Sequence, residues 1–156
     1  MFTATEGNGE KKSFVESQVV AELLVQMRSL TQVMIGEAIS VALAEQGAKV
    51  HVLDLSIEQA QKTVGGIQSV GGNANAYQCN VADQNEVNEV IERISKDDEI
   101  NILVNNAGIA HVGNVENTTE ADLDRIYNVN VKGVYNCLYS VVPVMKQQGG
   151  GVIVNM

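Results

Sequence analysis

At 156 residues the chain has room for one domain with a sizeable core, and 45% hydrophobic against 19% charged residues reads as globular rather than disordered. Nineteen acidic residues against ten basic ones give a formal charge of −9, so the chain lacks the cationic footprint that nucleic acid or an anionic membrane surface requires. Cys79 and Cys137 have no metal-site spacing, no apolar run reaches the roughly 18 residues of a membrane span, and MFTATEGNGEKKSF has no apolar signal core. A cytoplasmic protein with two buried thiols is expected.

Residues 1–13 are polar and read as a loose arm. From Phe14 to about Gln46, apolar residues such as Val20, Leu23, Leu24, Met27, Leu30 and Met34 recur at three- and four-residue steps, a helical period broken only by Gly36. A rival reading makes Leu23–Met27 a short strand and Gly36–Gln46 a separate helix. Gly47 stands where a helix-ending glycine belongs, and Lys49–Asp54 (KVHVLD) is a strand rich in β-branched residues. Ser56 can cap a helix running towards Val70, although Gly65 and Gly66 weaken it and Gly71–Gly72 ends it. Asn75–Cys79 is a strand, Asp83–Ser95 an amphipathic helix, and Ile100–Val104 a buried strand. Thr118 or Thr119 caps a long helix to about Gln147, interrupted only by Pro143, and Val152–Val154 is a last strand. Strands alternating with helices of ten or more residues predict an α/β fold with a parallel sheet.

In such sheets ligands bind beyond the carboxyl ends of the strands, near the point where strand order reverses. Asp54 ends the first clear strand. A carboxylate there can accept from a ribose diol and repel a 2′-phosphate, which favours NAD over NADP, or it can be a turn or helix-cap aspartate. Asn105, Asn106, Ala107 and Gly108 follow the buried strand, where small residues allow a flat ring or a ribose close to the backbone; four turn-prone residues also make a simple turn. Asn130 lies mid-helix in IYNVNVKGVY, an unfavourable place for asparagine unless it faces solvent or has work to do. His111 reads as a solvated loop histidine and His51, within a strand, as structural.

Taken together these segments resemble the short-chain dehydrogenase/reductase family from about Ile35 to Met156. IGEAISVALAEQGAKVHVLDLS looks like its first helix and second strand, CNVAD like its adenine-binding turn, NILVNNAG like its NNAG motif, and VNVKG like its mid-helix asparagine motif. GGGVIVNM resembles the strand that leads into its catalytic serine. The resemblance implies a Rossmann-like, doubly wound parallel sheet, incomplete in its C-terminal half. It implies that Ile35 and Gly36 are the last positions of a phosphate loop and that Asp54, 18 residues past Gly36, holds the adenosine ribose. Asn80 and Val81 then flank the adenine, Asn106, Ala107 and Gly108 line the cofactor, and Asn130 is the family's catalytic asparagine, which holds a water in a proton relay. The family more often has aspartate at position 80.

Two departures follow. The family's TGxxxGIG loop aligns with SLTQVMIG at Ser29–Gly36, where Leu30 and Met34 replace glycines that let pyrophosphate approach bare backbone. Residues 1–34 are therefore expected to be an atypical, helical N-terminal segment, and 35–156 a partial dinucleotide-binding domain. The second departure lies in the tyrosines. The residues four positions after Tyr77, Tyr127, Tyr135 and Tyr139 are Val81, Val131, Tyr139 and Pro143, so no YxxxK acid/base pair is present, nor the serine that precedes it in the family. Such groups each contribute roughly 10²–10⁴-fold in rate. The expectation is an NAD-dependent oxidoreductase of a small-molecule alcohol or ketone that does not turn over as this polypeptide alone. The rival is a non-catalytic cofactor-binding or subunit-interaction module, pairing through the 121–147 helix and its stripe of Leu123, Ile126, Val134, Leu138 and Val142. A receiver-like domain is a poor third, since Asn105 and Asn106 stand where a phosphorylatable aspartate is needed.

Overall fold

The computed structural model describes residues 2–5 and 35–156. The helical period and the rival strand read between Phe14 and Met34 lie outside the described residues.

The described elements are β1 (Phe2–Thr5), α1 (Ile35–Glu45), β2 (Lys49–Asp54), α2 (Ile57–Ser69), β3 (Asn73–Gln78) and α3 (Gln84–Ser95). They continue with β4 (Ile102–Asn105), α4 (Glu120–Tyr127), a π-helical turn (Asn128–Lys132), α5 (Gly133–Gln147) and β5 (Val152–Asn155). The strands form one sheet in the order β3-β2-β1-β4-β5. β2 pairs parallel with β3, and β4 parallel with β5. The central strand β1 runs antiparallel to both neighbours, with Phe2 opposite Val52 on one side and Val104 on the other. This corrects the reading of a loose arm over residues 1–13 at Phe2–Thr5; its remaining residues lie outside the described residues. Phe-Thr-Ala-Thr combines an aromatic with β-branched residues, and it supplies ladder hydrogen bonds to the facing edges of β2 and β4. The polar residues that follow Thr5 hid that signal.

Successive strand residues alternate between the two faces of the sheet. Val50, Val52 and Val104 pack with Ile39, Leu43 and Ile67 of α1 and α2. Leu53 and Leu103 pack with Val87, Ile91, Val141 and Met145 of α3 and α5. Two cores on opposite faces give the doubly wound Rossmann-like layering.

Local chemistry sets the helix ends. Ser56 Oγ accepts from Gln59 N at 3.3 Å, and Asp83 Oδ1 accepts from Asn85 N and Glu86 N at 2.8 and 3.3 Å. Thr119 and Asp122 form a reciprocal capping box. Gly47, with φ +88°, ends α1 in the left-handed region. α2 runs through Gly65 and Gly66 because Ala60 and Ile67 are anchored in the core, and packing outweighs the roughly 1 kcal/mol that each glycine costs. The expected helix from Thr119 to Gln147 is helical throughout, its α-helical pattern interrupted by one π-helical turn. α5 passes through Pro143, and the interruption falls at residues 128–132, where the Gly133 N–H reaches back to Asn128 O. No described helix is long and apolar enough to cross a membrane.

Candidate functional site

β2, β3, β4 and β5 all point the same way, so their carboxyl ends share one edge of the sheet, and strand order reverses there about β1. Val52 and Val104 both face Phe2 and therefore stand at equal height, two inter-strand spacings or about 10 Å apart. Asp54 lies two residues beyond the first, and Asn106 two residues beyond the second. Their main chains rise on either side of the crevice where α/β sheets bind ligands.

Asp54 is exposed, and its Oδ1 accepts from Ser56 N at 2.9 Å. Its Oδ2 has no partner among the described residues. One oxygen thus serves the turn, and the other is free for a hydroxyl donor.

The turn after β3 stands beside β2, because Cys79 N donates to Asp54 O at 2.8 Å. Asn80 spends its polar groups on the turn itself: its N–H donates to Glu86 Oε2 at 2.8 Å and its Oδ1 accepts from Ala82 N at 3.1 Å. Val81 is buried, and its carbonyl accepts from Asn136 Nδ2 at 2.8 Å.

On the other wall, Asn105 is buried; its Nδ2 donates to Asn155 Oδ1 at 2.8 Å and ties the tips of β4 and β5. Asn105 Oδ1 is buried without a hydrogen-bond partner among the described residues. It lines a shallow recess with Val81, Ala107, Val129, Gly133 and Cys137. A buried acceptor left open costs free energy, and it marks this recess as a place where a donor is missing. Asn106 and Ala107 are half-buried, and Gly108 is exposed.

Asn130 sits in the π-helical turn. Its Oδ1 accepts from Ile109 N and its Nδ2 donates to Ile109 O, each at 2.9 Å. The side chain therefore clamps the strand-exit loop with one Oδ1 lone pair and one Nδ2 hydrogen, and the second of each is not used by these two bonds. Ile35 and Gly36 open α1, the former exposed and the latter buried, at the N-terminal end of the helix, where the helix dipole favours an anion.

His51 has no exposed side-chain surface, and its Nε2 lies 3.3 Å from Asp98 Oδ2, which also pairs with Lys49. Burial lowers its pKa, with Asp98 pulling the other way. His111 is not the solvated residue expected: its side chain is 22% exposed, its Nδ1 lies 3.7 Å from Asp122 Oδ1, and its Nε2 is buried without a hydrogen bond among the described residues. Burial pushes the Cys79 thiol up to about 12 and the Cys137 thiol to about 11, so neither is a thiolate nucleophile at neutral pH.

The expected stripe on the 121–147 helix is partly spent on the protein's own fold, with Leu138 packed against the core and Val134 lining the recess. The outward face carries Leu123, Tyr127, Val131, Tyr135 and Tyr139, each more than half exposed. A four-residue repeat drifts around a regular α-helix; the extra residue of the π turn works against that drift.

Sequence reasoning missed Asn136 and Asn155, the two amides that hold the crevice walls in place. Asn136 carried a signal, since it is a mid-helix asparagine six residues after Asn130 and equally misplaced by propensity.

A doubly wound sheet with polar groups at its switch point defines the class as a Rossmann-like α/β fold. Residues 33–156 match the family model for short chain dehydrogenase, and the chain belongs to that family. It is 44% identical over 124 residues to an uncharacterized oxidoreductase of Thermotoga maritima, covering 78% of this chain and 48% of that one. It is 38% identical over 123 residues to a 3-oxoacyl-[acyl-carrier-protein] reductase of the same organism, covering 78% and 50%. Among solved structures, a metagenomic short-chain oxidoreductase in complex with NADP superimposes with a TM-score of 0.73 at 26% identity, covering 77% of this chain and 55% of that one. The chain spans about half the length of the curated relatives it matches.

Proposed function

We propose that residues 35–156 form the NAD-binding part of an oxidoreductase that moves a hydride between a secondary alcohol or ketone and nicotinamide. The observation that carries this is the free Asp54 oxygen at the tip of β2, level with the amides at the tip of β4 across the switch point. The described residues at the strand tips fit such a cofactor, while Leu30 and Met34 of the altered phosphate loop lie outside them. Asp54 would accept from the adenosine ribose, Asn80 and Val81 would flank the base, and Ile35 and Gly36 would face phosphate at the α1 N-terminus. Asn106, Ala107 and Gly108 would line the remainder, with the open acceptor of Asn105 beneath them. Bound there, the nicotinamide supplies or takes the hydride. Asn130 holds the Ile109 peptide and would keep a second Oδ1 lone pair and a second Nδ2 hydrogen for a water. A 2′-phosphate beside Asp54 would meet a carboxylate, which favours NAD over NADP.

NADH fluorescence titration tests this reading. Saturable NADH binding is expected, with NADPH weaker and Asp54→Ala removing that preference; equal binding of both by the unaltered chain would refute the assignment of Asp54. With no tyrosine followed four residues later by lysine, the polypeptide alone should bind cofactor without turnover, and steady NADH production from a secondary alcohol would overturn that part.

The rival, an interaction module, is favoured by one observation. Tyr135 and Tyr139 lie with tilted rings, 6.1 Å between centroids, on the exposed face of α5, continuous with Val131, Tyr127 and Leu123. Exposed apolar surface of this kind marks association sites, and a second copy of the chain is the proposed partner. The two readings are compatible, and sedimentation of the unaltered chain against Tyr135→Lys tests the second: loss of a dimer is expected.

A further inference from the structure

We propose that Asn136 is a positioning residue for the adenine side of the cofactor site, acting through the main chain of Val81; the proposal rests on the cofactor reading above. Asn136 is 1% exposed, on the face of α5 that packs into the core. A buried amide there is costly unless it is paired. Its Nδ2 donates to Val81 O at 2.8 Å, across 55 residues of sequence, and so fixes the peptide on which the base wall depends.

The same helix shapes the wall from a second point. A Cβ placed on Gly133 would come 2.8 Å from Val81 Cγ2 and 3.3 Å from Val81 Cβ. Glycine at 133 lets α5 approach closely enough for Asn136 to reach the carbonyl. Ser140 Oγ in turn lies 2.9 Å from Asn136 O and 2.6 Å from Asn88 Oδ1, which joins this stretch of α5 to α3. The other end of the turn is held independently, by Asp54 O on Cys79 N and by Glu86 on Asn80 N. Among the described residues, Asn136 makes the one side-chain hydrogen bond to Val81, so its loss frees that peptide while the rest of the turn stays anchored.

The test compares NADH with reduced nicotinamide mononucleotide, which lacks adenosine, by fluorescence titration of the full chain. The variants are Asn136→Ala and Gly133→Ala, each with its thermal unfolding recorded. Asn136→Ala is expected to weaken NADH about ten-fold, the cost of one lost buried hydrogen bond. Gly133→Ala moves the same wall by steric contact, its Cβ standing 2.8 Å from Val81 Cγ2, so it is expected to weaken NADH at a temperature where the variant is still folded. Neither variant should change mononucleotide binding. Equal loss of both ligands means general loosening and overturns the proposal, as does NADH affinity within two-fold of the unaltered chain in both variants. If Asn136→Ala does not fold, Gly133→Ala decides by the same criteria. Failure of the unaltered chain to bind NADH overturns the cofactor reading, and this proposal with it, whereas binding that neither variant alters overturns this proposal alone.

Discussion

The turn at 79–83 and the loop at 109–118 both follow strands at the same edge of the sheet, yet they are held in opposite ways. The turn is fixed by residues distant in sequence: Asp54 on β2 and Asn136 on α5, with Glu86 on α3 closing it from nearby. The loop is anchored at its root by Asn130 on Ile109, and beyond that its bonds are local, Asn117 Oδ1 accepting from Asn114 N and Asn114 Oδ1 from Glu116 N. Val112 and Val115 are 99% and 95% exposed. Long-range bonds give a wall that is formed before a ligand arrives, whereas local ones leave a segment that can rearrange at low cost. Under the function proposed above, cofactor recognition would fall to the rigid side and adaptation to the substrate to the other.

The comparison is broken most forcefully from beneath the turn. Ile91 is 2% exposed in α3, under the core that carries Cys79 and Val81. Ile91→Ala is expected to destabilise the fold by about 3 kcal/mol through lost burial and a residual cavity. Urea unfolding should show it as a lower midpoint at unchanged slope. A loss under 1 kcal/mol would mean the turn side is no better packed than the loop.

The sequence made the rigid side legible and left the loop side blank, for physical reasons. Strands β2 and β4 announce themselves through β-branched runs, and Ser56, Asp83 and Thr119 announce helix starts through their side-chain oxygens. Asp54 and Asn106–Gly108 could be placed because strand ends are where such folds put ligands. The antiparallel β1 could not, since four residues carry too little periodicity to reveal which way a strand runs. The π turn was equally hidden: nothing in NVNVK distinguishes it from α-helix, and only the bond from Gly133 N–H to Asn128 O reveals it. His111 and the second role of α5, holding Val81, depend on partners 11 and 55 residues away and have no local signature.

A second prediction uses the titratable group buried on the rigid side. His51 has its pKa lowered from the ordinary 6.5 chiefly by burial, opposed by Asp98 and reinforced by Lys49. The unfolded chain therefore binds that proton more readily than the folded one. The stability is fully present above pH 6.5 and is lost as the pH falls through and below that value. The unfolding temperature should drop between pH 7.5 and 5.5, and His51→Phe should flatten the drop. The opposite slope would mean that Asp98, rather than burial, governs the histidine.

The smallest effect is expected where the loop is most exposed. Val112→Ser and Val115→Ser remove apolar surface that touches almost nothing in this chain, so each should change stability by less than about 0.5 kcal/mol. A residue with no folded neighbours has no packing to lose, and its hydration in the folded chain matches that in the unfolded one. Two valines almost fully in water, only three residues apart in an otherwise polar loop, nevertheless form an apolar spot beside the crevice. If the loop serves the substrate side, the double substitution should leave both unfolding temperature and NADH affinity unchanged while reducing hydrogen-exchange protection nowhere in the sheet. A stability loss above 1 kcal/mol would show that the loop is packed in solution, and the contrast with the 79–83 turn would dissolve.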